Sequence, residues 1–145
     1  LGSGSYNSGY RVISSFQIGL LSDAFYHAYL ATGRNDLRDR ILSMANFVDQ
    51  YGLDPATQYT GSYFGIAPNG NPWHKFEASA YTTSLVNTLT MRYKLAGDSR
   101  YLDRAKYFFN RGTKGVYGNS TTRTSPDNVV DHFVDTVFSS DKFYL

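Results

Sequence analysis

The stretch "YLATGRNDLRDRILSMANF", residues 29–47, decides the fold because its pattern returns as "YKLAGDSRYLDRAKYFFNR", residues 93–111. The coinciding positions are Tyr29 with Tyr93, Gly33 with Gly97, Asp39 with Asp103, Arg40 with Arg104 and Asn46 with Asn110. In each copy a Gly ends one helical pattern and a second pattern begins directly after it. Two such units predict a repeat of antiparallel helical hairpins.

The first predicted hairpin covers residues 14–52, with Ser14 or Ser15 as N-cap and Gly52 as the stop. Apolar residues at helical spacing predict which sides of its helices face the core. On the first helix these are Phe16, Leu20, Ala24, His27 and Ala31, and on the second Leu37, Ile41, Met44, Ala45 and Val48. His27 lies within this stripe, so we interpret it as a packed, hydrogen-bonded core histidine rather than a ligand.

The second predicted hairpin covers residues 77–112. Its inward positions are Ala78, Tyr81, Leu85, Leu89 and Tyr93 or Ala96, followed by Leu102, Ala105 and Phe109. A loop at 113–127 and a helix at 128–139 follow. Residues 1–13 read as a flexible Gly/Ser-rich opening, so 14–145 form a single helical domain in this prediction.

Residues 53–76 interrupt the helical pattern with prolines, glycines and aromatics. From about 59 to 76 we expect a small β-hairpin or a structured loop, with a turn around Asn69-Gly70. Pro68 and Pro72 limit backbone pairing on both arms. The predicted fold class is therefore all-α with one small β-hairpin inserted between the two helical hairpins.

The composition excludes several classes of function. A chain of 145 residues with a net charge of +2 is one ordinary domain without the basic surface of a nucleic-acid-binding protein. It has no Cys, which removes disulfides, thiolate catalysis and Cys-based zinc sites. The sequence has no apolar run long enough for a membrane span. Aromatic residues reach 17%, including 13 Tyr, and such residues suit carbohydrate-like surfaces as well as cores.

Two longer stretches carry a family resemblance: "FQIGLLSDAFYHAYLATGRNDLRDR" and "FEASAYTTSLVNTLTMRYKLAGDSRYLDRA". They resemble the hairpins of (α/α) toroid carbohydrate-active enzymes, which include polysaccharide lyases and unsaturated glucuronyl hydrolases. In that family the inner helix ends in a Y-x-x-[TA]-G-[DR] turn, and the outer helix opens with a YL-x-x-A phrase, here Tyr101, Leu102 and Ala105. This chain supplies fewer helices than a complete toroid, so the resemblance implies a segment that a sister domain or chain completes.

The resemblance also implies that substrate lies across the loops before the inner helices, and residues 59–81 are the richest of these. Trp73 and Tyr63 are candidates for stacking on a sugar ring. A lyase acting by β-elimination on a uronic-acid-containing glycan needs a base, an acid and a group that neutralises the carboxylate. His74 and Tyr81 are the base and acid candidates, with Asn71 or Lys75 at the carboxylate. Gln17, at the start of the first helix, is a further candidate for bonding a sugar hydroxyl.

Two alternatives remain open at this point. A glycoside hydrolase on the same scaffold needs two carboxylates across a cleft, and Glu77 with Asp131 or Asp135 supplies them. A non-catalytic glycan-binding or helical interaction module needs neither set. In a purely structural interpretation of the loop, Trp73 and Phe76 fix it onto the core and His74 is a surface residue. His132 with Asp135 offers two metal ligands without a third, so we predict no metal and no cofactor. The expected partner is an anionic polysaccharide or oligosaccharide, and the expected location is secreted or periplasmic.

Overall fold

The computed structural model describes residues 9–118 of the chain. Its elements in chain order are β1 (Arg11–Ser14), α1 (Ser15–Thr32), α2 (Asn35–Tyr51), β2 (Thr60–Ile66), β3 (Pro72–Ala78), α3 (Ser79–Thr83), α4 (Val86–Ala96) and α5 (Ser99–Gly118). This mostly helical architecture with one small sheet confirms the predicted fold class. Within these residues no helix combines the length and apolar character that a membrane crossing needs.

The two repeated glycines end their helices in the same way. Gly33 has φ 67° and ψ 12°, Gly97 has φ 73° and ψ 6°, and both are therefore left-handed. Each donates its N–H to the carbonyl of the tyrosine four residues earlier, Tyr29 or Tyr93, at 2.7 Å. Glycine adopts this conformation without a steric penalty, which explains why both copies use it. The predicted repeat is confirmed at its turns.

The core lies between α2, α4, α5 and the sheet. On α2 the predicted stripe is confirmed, with Ile41, Ala45 and Val48 buried. The main apolar cluster contains Ile18, Ala45, Val48, Leu53, Phe64, Leu85, Val86, Leu89, Tyr101, Ala105 and Phe108. Residues from every helical hairpin and from β2 contribute to it, so the β-hairpin is anchored to the helices by its inner side.

The predicted inward face of α1 is wrong. Phe16, Leu20, Ala24, His27 and Ala31 are all exposed, whereas Ser15, Ile18 and Ser22 are buried. Apolar residues surround this helix on nearly every side, so periodicity could not select one face. Packing against α4 instead uses small polar groups: Thr88 Oγ1 donates to Ser22 Oγ at 2.9 Å, and Ser22 Oγ donates to the Ile18 carbonyl. His27 is not a core residue; its Nε2 lies 3.6 Å from Asp23 Oδ1 at the surface.

Helix α5 differs from its prediction in both face and length. Tyr101, Ala105 and Phe108 are buried, whereas Leu102 and Phe109 are half-buried. Because Phe108 and Phe109 are adjacent, the sequence pattern left the inward face of α5 uncertain by one position. Gly112 does not end the helix but lies buried, where an added Cβ would collide with Thr83 of α3. Close approach of two helices explains this glycine, and α5 continues to Gly118.

Two further boundaries need correction. Residues 11–13, assigned to the flexible opening, belong to β1, since Val12 and Ile13 pair with Gly65 and Phe64 of β2. The second helical hairpin begins at Ser79 rather than residue 77, because Glu77 and an exposed Ala78 still pair with β2. The predicted helix at 128–139 and the loop residues from 119 onward lie outside the described residues, and so do Asp131, His132 and Asp135.

Candidate functional site

The three strands form one antiparallel sheet in the order β1-β2-β3, with β2 at its centre. Phe64 pairs with His74, and Tyr63 pairs with Lys75. Neighbouring residues along a strand point to opposite faces, and directly paired residues share a face. His74 therefore lies on the inner face with buried Phe64, whereas Lys75 lies on the opposite face with Tyr63.

Aromatic side chains dominate the side of the hairpin that faces away from the core. Tyr63 is 39% exposed and Phe76 is 70% exposed. Trp73 is half-buried, and its ring meets the ring of Tyr10 edge-on with centroids 5.6 Å apart. Lys75 Nζ lies 4.9 Å from the centre of the Phe76 ring. We refer to Tyr63, Trp73, Lys75 and Phe76 as the outer face; its exposed rings can stack on the apolar face of a sugar.

Phe76 reaches this surface through an unusual backbone conformation. Its φ is 53°, in the left-handed region that bulky residues rarely adopt. In a regular strand Phe76 would share the inner face with His74, two residues away. Holding a non-glycine residue in this region costs about 1–2 kcal/mol. Such strain is characteristic of functional sites, and here it presents a large aromatic ring to solvent.

The inner face holds the imidazole of His74. The ring stacks on Phe64 with centroids 6.2 Å apart, and the side chain is only 1% exposed. Neither ring nitrogen forms a hydrogen bond of normal geometry with a described group. Burial lowers the pKa of His74, and the nearby carboxylates of Asp54 and Glu77 and the backbone of Tyr51 and Gly52 oppose this shift without reversing it. The ring is therefore held in its neutral form near pH 7.

Asp54 approaches this ring from the turn after α2. Its Oδ1 accepts the N–H groups of Ala56 at 2.7 Å and Thr57 at 2.8 Å, and its Oδ2 lies 3.8 Å from His74 Nδ1. Partial burial acts to raise the pKa of Asp54, but these N–H donors and His74 outweigh it and lower the pKa overall. Glu77 accepts a hydrogen bond from Thr57 Oγ1. One donor atom each from Asp54, His74 and Glu77 lies within 4.8 Å of the other two.

The residues predicted for lyase chemistry are spread along the hairpin. Asn71 is exposed in the turn at its tip, where its carbonyl accepts the Ala67 N–H and its own N–H donates to the side-chain Oδ1 of Asn69. Glu77 lies six positions further along, which is about 20 Å on a strand. His74 and Lys75 lie on opposite faces. This layout does not gather Asn71, His74 and Lys75 around one reacting carbon.

The other two predicted residues lie on helices. Tyr81 is half-buried on the short helix α3, directly after β3. Gln17 is exposed in the first turn of α1. Both positions agree with the elements to which the sequence assigned them, and their roles in binding or catalysis stay predictions.

Sequence reasoning missed Asp54 and the exposure of Phe76. Asp54 precedes Pro55 and is typical of a turn, which gave no reason to connect it with a histidine on a strand twenty positions later. Phe76 fixes the loop onto the core only in the purely structural interpretation of the sequence, which its exposure contradicts. A left-handed φ at a non-glycine residue has no local signature in the sequence.

No protein-family model and no curated protein matches this chain. Two solved structures share its fold. A family 76 glycoside hydrolase from a bovine Bacteroides thetaiotaomicron strain matches 76% of this chain with a TM-score of 0.59 and 15% identity. A family 76 mannosidase of Bacteroides thetaiotaomicron matches 71% with a TM-score of 0.57 and 19% identity.

At these identities the likeness establishes the fold: the chain folds as part of an (α/α) toroid of the kind found in glycoside hydrolases. The matched region spans 24% and 28% of the two larger proteins, about a quarter of their length. The toroid resemblance of the sequence is confirmed, and the neighbours are hydrolases rather than lyases. The chain thus has the fold of a toroid segment.

Proposed function

We propose that this chain is a segment of a toroid-type glycoside hydrolase and that its outer face binds the glycan. One observation carries the proposal: the exposed aromatic residues Tyr63 and Phe76, the latter with a strained backbone, lie on a fold shared with two family 76 glycoside hydrolases. Because one of these neighbours is a mannosidase, a mannose-containing polysaccharide is the first substrate class to test.

The chemistry of the outer face suits a sugar ring. A pyranose presents a flat patch of C–H groups, and aromatic faces stack on it while hydroxyl groups remain hydrogen-bonded. Trp73 is held by the edge of Tyr10, and Phe76 is held by its backbone and by Lys75. Side chains already fixed in place lose little conformational entropy when a ligand binds. The Lys75 ammonium can donate hydrogen bonds to hydroxyl or carboxylate oxygens of the glycan.

Hydrolysis is a better-supported reaction than β-elimination. A lyase base must reach the proton that it abstracts, but the His74 side chain is 1% exposed and faces the core. The hydrolase alternative is the one that the structural neighbours favour. Its carboxylate pair, Glu77 with Asp131 or Asp135, stays a prediction, since both aspartates lie outside the described residues.

The exposed apolar side of α1 fits the proposal of a segment. Phe16, Leu20 and Leu30 are each more than half exposed on one helix. Apolar side chains in this number are usually covered in a finished protein. We propose that further toroid hairpins cover them, on the same polypeptide or on a sister chain. A secreted or periplasmic location belongs to the same proposal, because structural polysaccharides lie outside the cytoplasm.

Product analysis separates the three candidate functions. The full 145-residue chain is incubated with a mannose polysaccharide and, separately, with a uronate polysaccharide. New reducing ends without ultraviolet absorbance support the hydrolase, whereas an absorbance rise from an unsaturated product would establish the lyase instead. Retention on the mannose polysaccharide without either product supports glycan binding by a segment that needs its remaining hairpins for turnover.

A matched pair of variants tests the site itself. Tyr63→Ala on the outer face should weaken retention on the polysaccharide at least tenfold. Tyr107→Ala on α5 is the control, because Tyr107 is 42% exposed and Tyr63 is 39% exposed. Equal loss of retention in both variants would contradict the assignment of the outer face.

A further inference from the structure

We propose that Asp54, His74 and Glu77 bind one divalent transition-metal ion of the Zn²⁺ type. The site lies at the inner side of β3, where the turn after α2 meets the end of the hairpin. It is separate from the outer face, and it does not depend on the proposed glycan function.

The spacing of the three residues fits a metal ion. Each residue offers one donor atom, and these three atoms lie within 4.8 Å of one another. A tetrahedral ion with bonds of about 2.1 Å places its ligand atoms about 3.4 Å apart. The 3.8 Å between His74 Nδ1 and Asp54 Oδ2 is a few tenths of an ångström longer. The other separations reach up to 4.8 Å, so the Glu77 side chain has to move towards the other two ligands when the ion binds.

The buried imidazole gives an independent reason to expect a ligand. His74 is 1% exposed, and neither of its nitrogens makes a hydrogen bond of normal geometry with a described residue, although the backbone of Tyr51 and Gly52 lies close to the ring. A buried polar group without a partner is unfavourable. Two carboxylates that converge at the same point also repel each other unless a cation lies between them. A divalent ion removes both costs.

The surroundings of the carboxylates are typical of metal ligands. Asp54 Oδ1 is fixed by the N–H groups of Ala56 and Thr57, which leaves Oδ2 directed at the ring. Glu77 Oε2 is fixed by the hydroxyl of Thr57. Hydrogen bonds of this kind orient the ligands of a metal before it binds. Thr57 thus holds both carboxylates on one side of the site.

The donor set selects the kind of ion. Mg²⁺ and Ca²⁺ are bound by oxygen ligands, whereas an imidazole nitrogen favours Zn²⁺ and related ions. One nitrogen and two carboxylate oxygens leave the fourth tetrahedral position to water, which can enter because Glu77 is exposed. An ion at Glu77 would also fix the residue next to Phe76 and so hold its strained backbone. The hydrolytic carboxylates of the proposed enzyme would then lie elsewhere in the toroid.

Titration with Zn²⁺ alone tests the proposal. The full chain is freed of metal with a chelator and titrated by calorimetry, with Mg²⁺ in parallel. We expect one Zn²⁺ per chain and much weaker Mg²⁺ binding. Glu77→Gln and Asp54→Asn should each weaken Zn²⁺ binding at least tenfold. Both residues are at least partly exposed, so these near-isosteric variants should keep the fold, and circular dichroism checks this.

Histidines elsewhere in the chain are the controls. His27→Gln removes an exposed histidine beside Asp23, and His132→Gln removes the remaining one. Zn²⁺ binding should be unchanged in both. Absence of a one-to-one complex, or equal binding by Glu77→Gln and the unaltered chain, would overturn the proposal. Glycan retention by the metal-free chain is measured separately, so failure of the metal site and failure of the outer face are distinguishable.

Discussion

The two helical hairpins share one sequence pattern but not one environment. In both, the first helix ends at a left-handed glycine that bonds back to a tyrosine, with the same 2.7 Å hydrogen bond. Helix α4 then buries five of its residues, from Val86 to Met91, whereas α1 buries only Ser15, Ile18 and Ser22. The turns of the two hairpins are equivalent, whereas α1 and α4 differ in how much of their surface they bury.

This difference identifies the open side of the segment. Helix α4 packs against α1, α2 and α5, so it has neighbours on several sides. Helix α1 packs mainly against α2, α4 and the sheet strand β2 and leaves its remaining apolar side to solvent. In a toroid each inner helix lies between two others, so α1 occupies an edge position where the next hairpin would pack. Four predictions test this comparison, in order of decreasing effect.

Leucine truncation should separate the two helices most clearly. Leu89 on α4 is fully buried, and Leu20 on α1 is 55% exposed. Leu89→Ala should lower the free energy of unfolding by about 2–5 kcal/mol, because it leaves a cavity in the core. Leu20→Ala should change it by less than about 0.5 kcal/mol. Urea unfolding of the two variants measures both values, and a similar loss in each would contradict the edge position of α1.

The shared turns should respond alike. An added Cβ at Gly33 or Gly97 meets no atom within 4 Å, so alanine introduces backbone strain without a collision. Gly33→Ala and Gly97→Ala should each cost about 1–2 kcal/mol of unfolding free energy. Thermal unfolding of both variants provides the comparison. A neutral result at either position would show that the two turns are not equivalent.

The polar contact between the two hairpins should contribute a smaller amount. Thr88→Val removes the bond to Ser22 and should cost about 1 kcal/mol. Thr32→Val is the control, because the Thr32 hydroxyl bonds only to the Ala28 carbonyl and the Arg34 N–H, within the exposed turn that joins α1 to α2. Chemical denaturation of the two variants is compared. An equal loss of unfolding free energy in both variants would mean that the hydrogen bond between α1 and α4 adds no stability of its own.

The smallest effect on stability is expected on the open side of α1. Leu30→Gln should change the unfolding free energy by less than about 0.5 kcal/mol, since Leu30 is already exposed. It should, however, reduce self-association of the chain in sedimentation, because it makes the uncovered apolar side more polar. Unchanged stability with unchanged association would show that this side of α1 does not drive self-association. Such a result would weaken the proposal that further hairpins cover it.

The sequence predicted what depends on local signals. The glycines at 33 and 97, the stripe of α2 and the Asn69-Gly70 turn each follow from a few neighbouring residues. The buried face of α1 depends on which helices surround it. Because α1 has apolar residues on most sides, its own sequence does not indicate which side is buried. Strand β1 was missed because it is short and depends on contacts distant in the sequence, namely its pairing with β2 and the packing of Ile13 on the apolar cluster.

The candidate site residues also divide into those with a local signal in the sequence and those that only packing brings together. Trp73 and Tyr63 could be proposed from the sequence because aromatic residues close to a predicted turn are a local signal, and their binding role stays a prediction. The meeting of Asp54 with His74 and Glu77 depends on the packing of a turn against a strand, which no local pattern encodes. The interpretation of His74 as a surface residue is wrong, because strand alternation places it beside Phe64 on the inner face, opposite Lys75.

The central claim is that the outer face binds a glycan, and Trp73 reports on it directly because it is the single Trp of the chain. The most direct test is a fluorescence titration of the full chain with manno-oligosaccharides of increasing length. The account predicts a saturable change in Trp73 emission that Phe76→Ala weakens at least tenfold and Tyr107→Ala leaves intact. Unchanged emission at saturating concentrations of every manno-oligosaccharide, or an equal response in the Phe76→Ala variant, would contradict it.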